Sequence, residues 1–81
     1  MKLYIVGFKS KREGTVKRTY GDALVYAFRG EEALTKVRQA GWVPNPGDVF
    51  ILTPERAEDV GVEDWMKDKA KEGGVVIIWT D

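Results

Sequence analysis

The chain contains no cysteine and no histidine in 81 residues, and this absence constrains its fold more than any other feature of the sequence. Without cysteine no disulfide can form, and without either residue type the usual structural zinc sites are excluded. A chain of this length forms one domain, residues 1–81, whose stability depends on the burial of apolar side chains. Hydrophobic residues make up 43% of the sequence, which is enough for a single core held by packing alone.

The first third of the chain predicts a β-meander of three strands. Residues 2–9 carry apolar side chains at both alternating sets of positions, which is typical of a strand inside a sheet. Residues 10–14 are polar, end in glycine and predict a turn. Residues 15–20 predict a weak, half-exposed strand, Gly21-Asp22 a two-residue hairpin turn, and residues 23–29 a returning strand.

The middle of the chain predicts one helix followed by an irregular segment. The helix covers residues 31–40 and begins with Glu31 and Glu32, whose negative charges suit the positive end of a helix dipole. Gly41 is a typical helix stop. Residues 42–48 contain two prolines and a glycine, and this composition predicts a loop.

The last third of the chain predicts two apolar strands separated by helix. Residues 49–52 form a short, wholly apolar run that is typical of a buried strand. Thr53-Pro54 combines a helix-capping side chain with a proline suited to the first helical position. That helix is interrupted near Gly61 and resumes over residues 62–72. Residues 75–79 are apolar on both faces and predict a second central strand.

These elements predict an α+β fold in the order β-β-β-α-β-α-β. We expect a small two-layer sandwich, in which two helices pack on a mixed sheet of four or five strands. The apolar runs at 49–52 and 75–79 flank a helical segment, and a βαβ unit of this kind favours parallel pairing of the two strands.

Charge is distributed unevenly along a chain whose formal net charge is zero. Residues 1–40 carry nine Lys and Arg against four Asp and Glu, and residues 41–81 carry nine acidic and four basic residues. A basic hairpin over residues 9–18 would contact a nucleic-acid backbone, because Lys and Arg displace counterions from phosphates. Overall neutrality argues against a dedicated nucleic-acid-binding domain, so this function is the alternative prediction. Its candidate residues are Lys9, Lys11, Arg12, Lys17 and Arg18.

The acidic residues of the second half predict no defined metal site. Glu55, Glu58 and Asp59 share one face of the predicted helix, but their spacing matches no calcium loop. Acidic residues early in a helix are expected from the helix dipole alone. We therefore expect no metal and no cofactor, and a basic partner surface is the better-supported use of this charge.

Three aromatic residues are the candidates for a protein-binding or dimer surface: Trp42, Tyr26 and Trp79. Trp42 follows the predicted helix stop and opens the proline-rich segment, a placement that suits a rigid recognition surface. The same placement also suits a side chain that folds back over the helix end and closes the core. Tyr26 and Trp79 lie on predicted strands, and a sheet face without helices would expose them.

The available side chains argue against an enzyme. Catalysis without His or Cys would depend on carboxylate, Lys, Tyr or Arg side chains, and the carboxylates lie in predicted helices or loops with polar neighbours. A carboxylate-based enzyme is therefore the weakest alternative. We expect a small non-enzymatic protein-interaction, structural or regulatory module that binds a protein partner or itself.

Two further expectations concern where such a module works. No apolar run approaches the ~20 residues of a membrane span, so we expect a cytoplasmic location without membrane association. The high charged fraction of 32%, together with a single Asn and a single Gln, is typical of heat-adapted proteins. The sequence thus predicts a thermophilic cell, or its virus, as the source.

Overall fold

The chain folds into a small α+β domain, and the computed structural model describes residues 1–9 and 20–80. Its strands and helices follow one another along the chain in the order β-β-α-β-α-α-β. The described elements are β1 (Lys2–Lys9), β2 (Tyr20–Ala27), α1 (Gly30–Gln39), β3 (Val43–Ile51), α2 (Pro54–Val60), α3 (Asp64–Lys71) and β4 (Val76–Trp79).

The four strands form one antiparallel sheet in the order β3-β1-β2-β4. β1 and β2 pair along their whole length, from Lys2 opposite Ala27 to Lys9 opposite Tyr20. β3 pairs with β1 and β4 pairs with β2, so β3 and β4 are the two edges of the described sheet. The predicted α+β class is confirmed, and so is the interior position of residues 2–9.

One face of the sheet packs against α1 and forms the main core. Side chains alternate between the two faces of a strand, so the even-numbered residues of β1 share this face with the odd-numbered residues of β2. Helix α1 contributes Ala33 and Val37, which are fully buried. The buried strand residues of this core are Tyr4, Val6, Phe8, Ala23, Val25 and Ala27.

The opposite face of the sheet carries α2 and α3. Ile5 and Leu24 face each other across β1 and β2, point to this second face and are buried. Ala70 of α3 is also buried, and α3 packs against β2 and β4. At the β3 edge, the guanidinium of Arg56 in α2 lies 3.9 Å from the ring centroid of Phe50. The described helices thus cover both faces, where two helices in a single layer were expected.

Local sequence accounts for the points at which the helices begin and end. Gly41 follows α1 with a φ of 97°, and the N–H of the next residue donates to the carbonyl oxygen of Val37. The hydroxyl of Thr53 caps α2 by accepting a hydrogen bond from the backbone N–H of Arg56 at 3.2 Å. Gly61 ends α2 with a φ of 79°, so the predicted helix interruption at this position is confirmed.

The hairpin turn predicted at Gly21-Asp22 is wrong, because both residues lie inside β2. Gly21 serves close packing: a Cβ added there would lie 2.7 Å from the carbonyl oxygen of Ile78 and 2.8 Å from Cζ of Phe8. β2 consequently spans residues 20–27 and not 23–29. The turn predicted over 10–14 and most of the strand predicted over 15–20 lie outside the described residues.

The loop predicted over residues 42–48 is also wrong, since β3 begins at Val43. β3 tolerates prolines because it is an edge strand with a single neighbour. Pro44 lies opposite Phe8, and the backbone groups of Phe8 face β2 and not β3. The nitrogen of Pro44 therefore points away from β1, and the N–H that proline lacks would have made no hydrogen bond to β1. A register shift between Val6 and Phe8 accommodates the extra residues of the segment.

The parallel βαβ unit predicted from residues 49–52 and 75–79 is wrong as well. β3 and β4 lie at opposite edges of the sheet, and β4 pairs antiparallel with β2. β4 is therefore an edge strand where a central one was expected, and the described sheet is antiparallel where a mixed one was expected. Helices α2 and α3 connect the two edges. None of the helices in the described chain has the length and apolar character needed to cross a membrane.

Candidate protein interface

Trp42 and Trp79 form an aromatic cluster with Phe8 on the α1 face of the sheet. The ring centroid of Phe8 lies 4.8 Å from that of Trp42 and 5.5 Å from that of Trp79, and the two indoles are 5.4 Å apart. Phe8 is buried, whereas both tryptophans are half-buried and pack against the main core. The structure therefore brings two of the three aromatic candidates together, with part of each indole at the surface.

Tyr26 lies apart from these two tryptophans. It pairs with Leu3 near the start of β1 and points to the sheet face opposite the Phe8 cluster. Its side chain is half-buried, and its carbonyl oxygen accepts a hydrogen bond from Nζ of Lys36 at 2.7 Å. The three predicted residues thus do not form one continuous surface, and a role for each of them in binding stays a prediction.

The basic candidates lie largely beyond the part of the chain that the structure describes. Lys9 is the exception: it ends β1, is exposed and pairs with Tyr20, whose exposure is 53%. Lys11, Arg12, Lys17 and Arg18 fall outside the described residues. Of the five residues predicted to bind nucleic acid, the structure therefore describes one, Lys9, at the start of the basic segment 9–18.

A cleft of about 360 Å³ opens between α2, the start of β2 and the segment that leads into the second half of β3. Its polar lining includes three carboxylates and one guanidinium. Asn45 donates a hydrogen bond from Nδ2 to Oδ2 of Asp48 at 2.9 Å. Within residues 1–9 and 20–80, no group of three or more acidic, His or Cys side chains is arranged to hold a metal ion. Residues that line the cleft include Gly7, Asp22, Asp48, Phe50, Arg56 and Asp59.

Asp22 lines this cleft, and its carboxyl group is partly buried there. Burial raises the pKa of the Asp22 carboxyl above its ordinary value of 3.8, and the negative charge of Asp48 raises it further. Asp48 lies close to the backbone of Gly7, where an added Cβ would come within 2.8 Å of the Asp48 Cβ. The absence of a side chain at position 7 thus allows Asp48 to fold over the sheet towards Asp22.

The outer edge of β3 combines exposed apolar side chains with outward-facing backbone groups. Phe50 is 39% exposed and Ile51 is 47% exposed. The N–H of Leu52 donates to the carbonyl oxygen of Leu3 at 2.9 Å, so Leu52 turns its backbone groups towards β1. Because these directions alternate along an antiparallel strand, Val49 and Ile51 turn their N–H and C=O groups away from β1.

This edge is not evident from the sequence, because the prolines that precede it predict a loop and because a single sequence does not reveal strand order. The sequence does contain one signal of an edge strand: Pro44 and Pro46 are two residues apart, so in an extended strand the nitrogens of both point to the same side.

Comparison of the chain with known protein families, characterised proteins and solved structures gave no match.

Proposed function

We propose that the chain is a small, non-enzymatic protein-interaction module whose contact surface is the outer edge of β3. The observation that supports this most directly is the coincidence of free backbone groups at Val49 and Ile51 with exposed side chains at Phe50 and Ile51. An edge of this kind binds an extended segment of a partner by adding it to the sheet as a further strand.

The two parts of this edge contribute different properties to binding. Backbone hydrogen bonds to the partner supply direction and register, each with a net value of about 0.5–1.5 kcal/mol. Phe50 and Ile51 point to opposite faces of the sheet, so a bound strand would cover apolar area on both sides, at about 25 cal/mol per Å². Exposed edges invite unwanted pairing and proteins usually protect them, so an apolar and accessible edge favours a binding role.

A photo-crosslinking experiment tests this proposal. A benzophenone amino acid is placed at position 51 and, as the matched control, at position 43 of the same strand. Val43 is 53% exposed, but it pairs with Lys9, whose backbone groups face β3, so its own backbone groups are turned towards β1. In lysate of the source cells we expect discrete protein adducts at position 51 that are absent at position 43. Identical adduct patterns at both positions, or none at either, would contradict the proposal.

A second candidate function is nucleic-acid binding by the basic segment that begins at Lys9. The observation in its favour is the exposed ring of Tyr20 beside Lys9, because an aromatic ring next to cations suits an unpaired base and its phosphate. Single-stranded oligonucleotides titrated at low and high salt test this function. Salt-sensitive binding that weakens in Tyr20→Ala and in a variant with Lys11, Arg12, Lys17 and Arg18 changed to Ala would support it. No binding at low salt would exclude it.

A further inference from the structure

The accessible part of β3 is bounded by a proline on each side. Pro46 precedes it and Pro54 follows it. Of the seven residues between them, Gly47 adjoins the first proline and Thr53 caps α2, which leaves residues 48–52 as the segment able to accept a neighbouring strand. The outward-facing residues Val49 and Ile51 are placed symmetrically about Phe50 at the middle of this segment. A segment with this symmetry is complementary to a second copy of itself in the antiparallel direction.

We propose that the partner at this edge is a second copy of the same chain, paired antiparallel about a two-fold axis at Phe50; this inference rests on the proposed function. Val49 of each copy then lies opposite Ile51 of the other, and both pairs exchange N–H···O=C hydrogen bonds, four bonds in all by the geometry of a regular ladder. Phe50 faces Phe50 of the second copy in a non-hydrogen-bonded pair, the arrangement in which side chains come closest. The two sheets join into one.

Charge complementarity supports this occupant. The guanidinium of Arg56 lies over the Phe50 ring, and among the described residues it forms no ion pair within its own chain. In the paired arrangement, position 48 of the second copy is a diagonal neighbour of Phe50 on the same face of the sheet, at about 7–8 Å. Because the Asp48 carboxylate lies over Gly7 of its own chain, it places a negative charge near Arg56 without a direct ion pair, and the two-fold axis repeats this arrangement.

The other edge of the sheet offers less to a second copy. β4 has four residues, and all four side chains are half-buried rather than exposed. A contact between β3 of one copy and β4 of the next would be heterologous and would extend into an open filament unless it closed as a ring. Pairing of β3 with β3 uses the same surface on both copies and ends at the dimer.

The length of the paired segment sets the expected strength of the dimer. Five residues from each copy form an interface at the small end of specific contacts, below about 1,200 Å² in total. We therefore expect reversible association with a dissociation constant in the micromolar range, roughly 1–100 µM. The dimer should form and dissociate as the protein concentration is changed.

Sedimentation equilibrium of the purified chain, from about 0.1 µM to about 1 mM so that the series extends to either side of that expected range, tests the association. We expect the mass to rise from monomer to dimer, to remain at the monomer value in Ile51→Lys, and to follow the wild type in the matched control Val43→Lys. Circular dichroism shows whether each variant remains folded. A wild-type monomer at the highest concentration, or an Ile51→Lys variant that dimerises normally, would overturn the proposal.

Disulfide trapping tests the register of the paired strands without introducing a charge, as Ile51→Lys does. The chain has no native cysteine, so a disulfide can form only between the introduced thiols. In Phe50→Cys, the two thiols meet at the two-fold axis, and we expect a covalent dimer under mild oxidation. Val43→Cys is the control, and equal or faster trapping there would contradict the register. If the wild type is monomeric and position 51 still crosslinks to a different protein, self-pairing fails while the proposed function stands.

Discussion

Truncation of Phe8 is the sharpest test of how this sheet is held together. Phe8 is 2% exposed and contacts both Trp42, which precedes β3, and Trp79 of β4. Its ring therefore links the central strand to residues at both edges. Gly21 cannot fill the space left by truncation, since it has no side chain at the point where it touches the ring. Phe8→Ala should consequently leave a cavity between the two indoles.

The expected cost follows from the depth of this burial. Replacement of a buried Phe by Ala costs about 3–5 kcal/mol, and a domain of 81 residues has a total free energy of unfolding of roughly 4–12 kcal/mol. Phe8→Ala should therefore remove about a quarter or more of the free energy of unfolding. Phe8→Leu retains most of the volume and loses chiefly the ring contacts, so it should cost about 1–2 kcal/mol.

Urea unfolding, followed by tryptophan fluorescence and far-UV circular dichroism, measures both variants. Near-UV circular dichroism reports separately on the Trp42–Trp79 packing, which Phe8→Ala should disturb. Phe28→Ala is the control for loss of a phenyl ring, because Phe28 is 69% exposed and should change the free energy of unfolding by no more than about 0.5 kcal/mol. A Phe8→Ala variant within about 1 kcal/mol of wild type would refute the central role assigned to Phe8.

Three further variants test separate features. Gly21→Ala should lower the free energy of unfolding by about 1–3 kcal/mol, because the added Cβ would collide with the carbonyl oxygen of Ile78. Amide exchange in β4 should become faster for the same reason, and unchanged exchange would contradict this. Asp22→Asn should stabilise the protein at neutral pH and lose that advantage below pH 3.8. The reason is that the pKa of the Asp22 carboxyl is raised in the folded protein. The free energy of unfolding of the wild type therefore falls as the pH rises from 3.8 through the folded pKa. Urea midpoints measured across pH check this, and a difference independent of pH would refute it. Thr53→Ala removes the cap of α2 and should cost about 1 kcal/mol by thermal unfolding, whereas Thr53→Ser, which keeps the hydroxyl, should cost much less.

Features set by neighbouring residues could be predicted from the sequence. The capping hydroxyl of Thr53 and the stops at Gly41 and Gly61 act within one helical turn, and each lies at the end of a helix in the structure. The interior position of β1 followed from its apolar residues on both faces, since both faces of a central strand are covered. In each case the local pattern and the tertiary environment favour the same conformation.

Features set by distant residues could not be predicted in this way. Gly21-Asp22 has the composition of a turn, but Gly21 is needed where β2 passes close to β4 and to the Phe8 ring. The run at 75–79 is apolar enough for a central strand, yet β4 is an edge whose side chains are covered by α3 and by the Phe8 cluster. An apolar strand sequence indicates that the side chains of the strand are buried. It does not indicate whether helices or neighbouring strands bury them.

The candidate interface depends on strand order for the same reason. Val49, Phe50 and Ile51 are apolar, and in a central strand they would be ordinary core residues. They form the proposed binding surface because β3 has one neighbour in the described sheet, which leaves alternate backbone groups and two side chains accessible. The prolines at 44 and 46 are compatible with that position alone, since within a sheet interior each would remove a hydrogen bond to a neighbouring strand. The composition that makes this segment resemble a loop is therefore what marks it as an edge, and residues 48–52, which lie between Pro46 and Pro54, are the part of that edge that we propose accepts a partner.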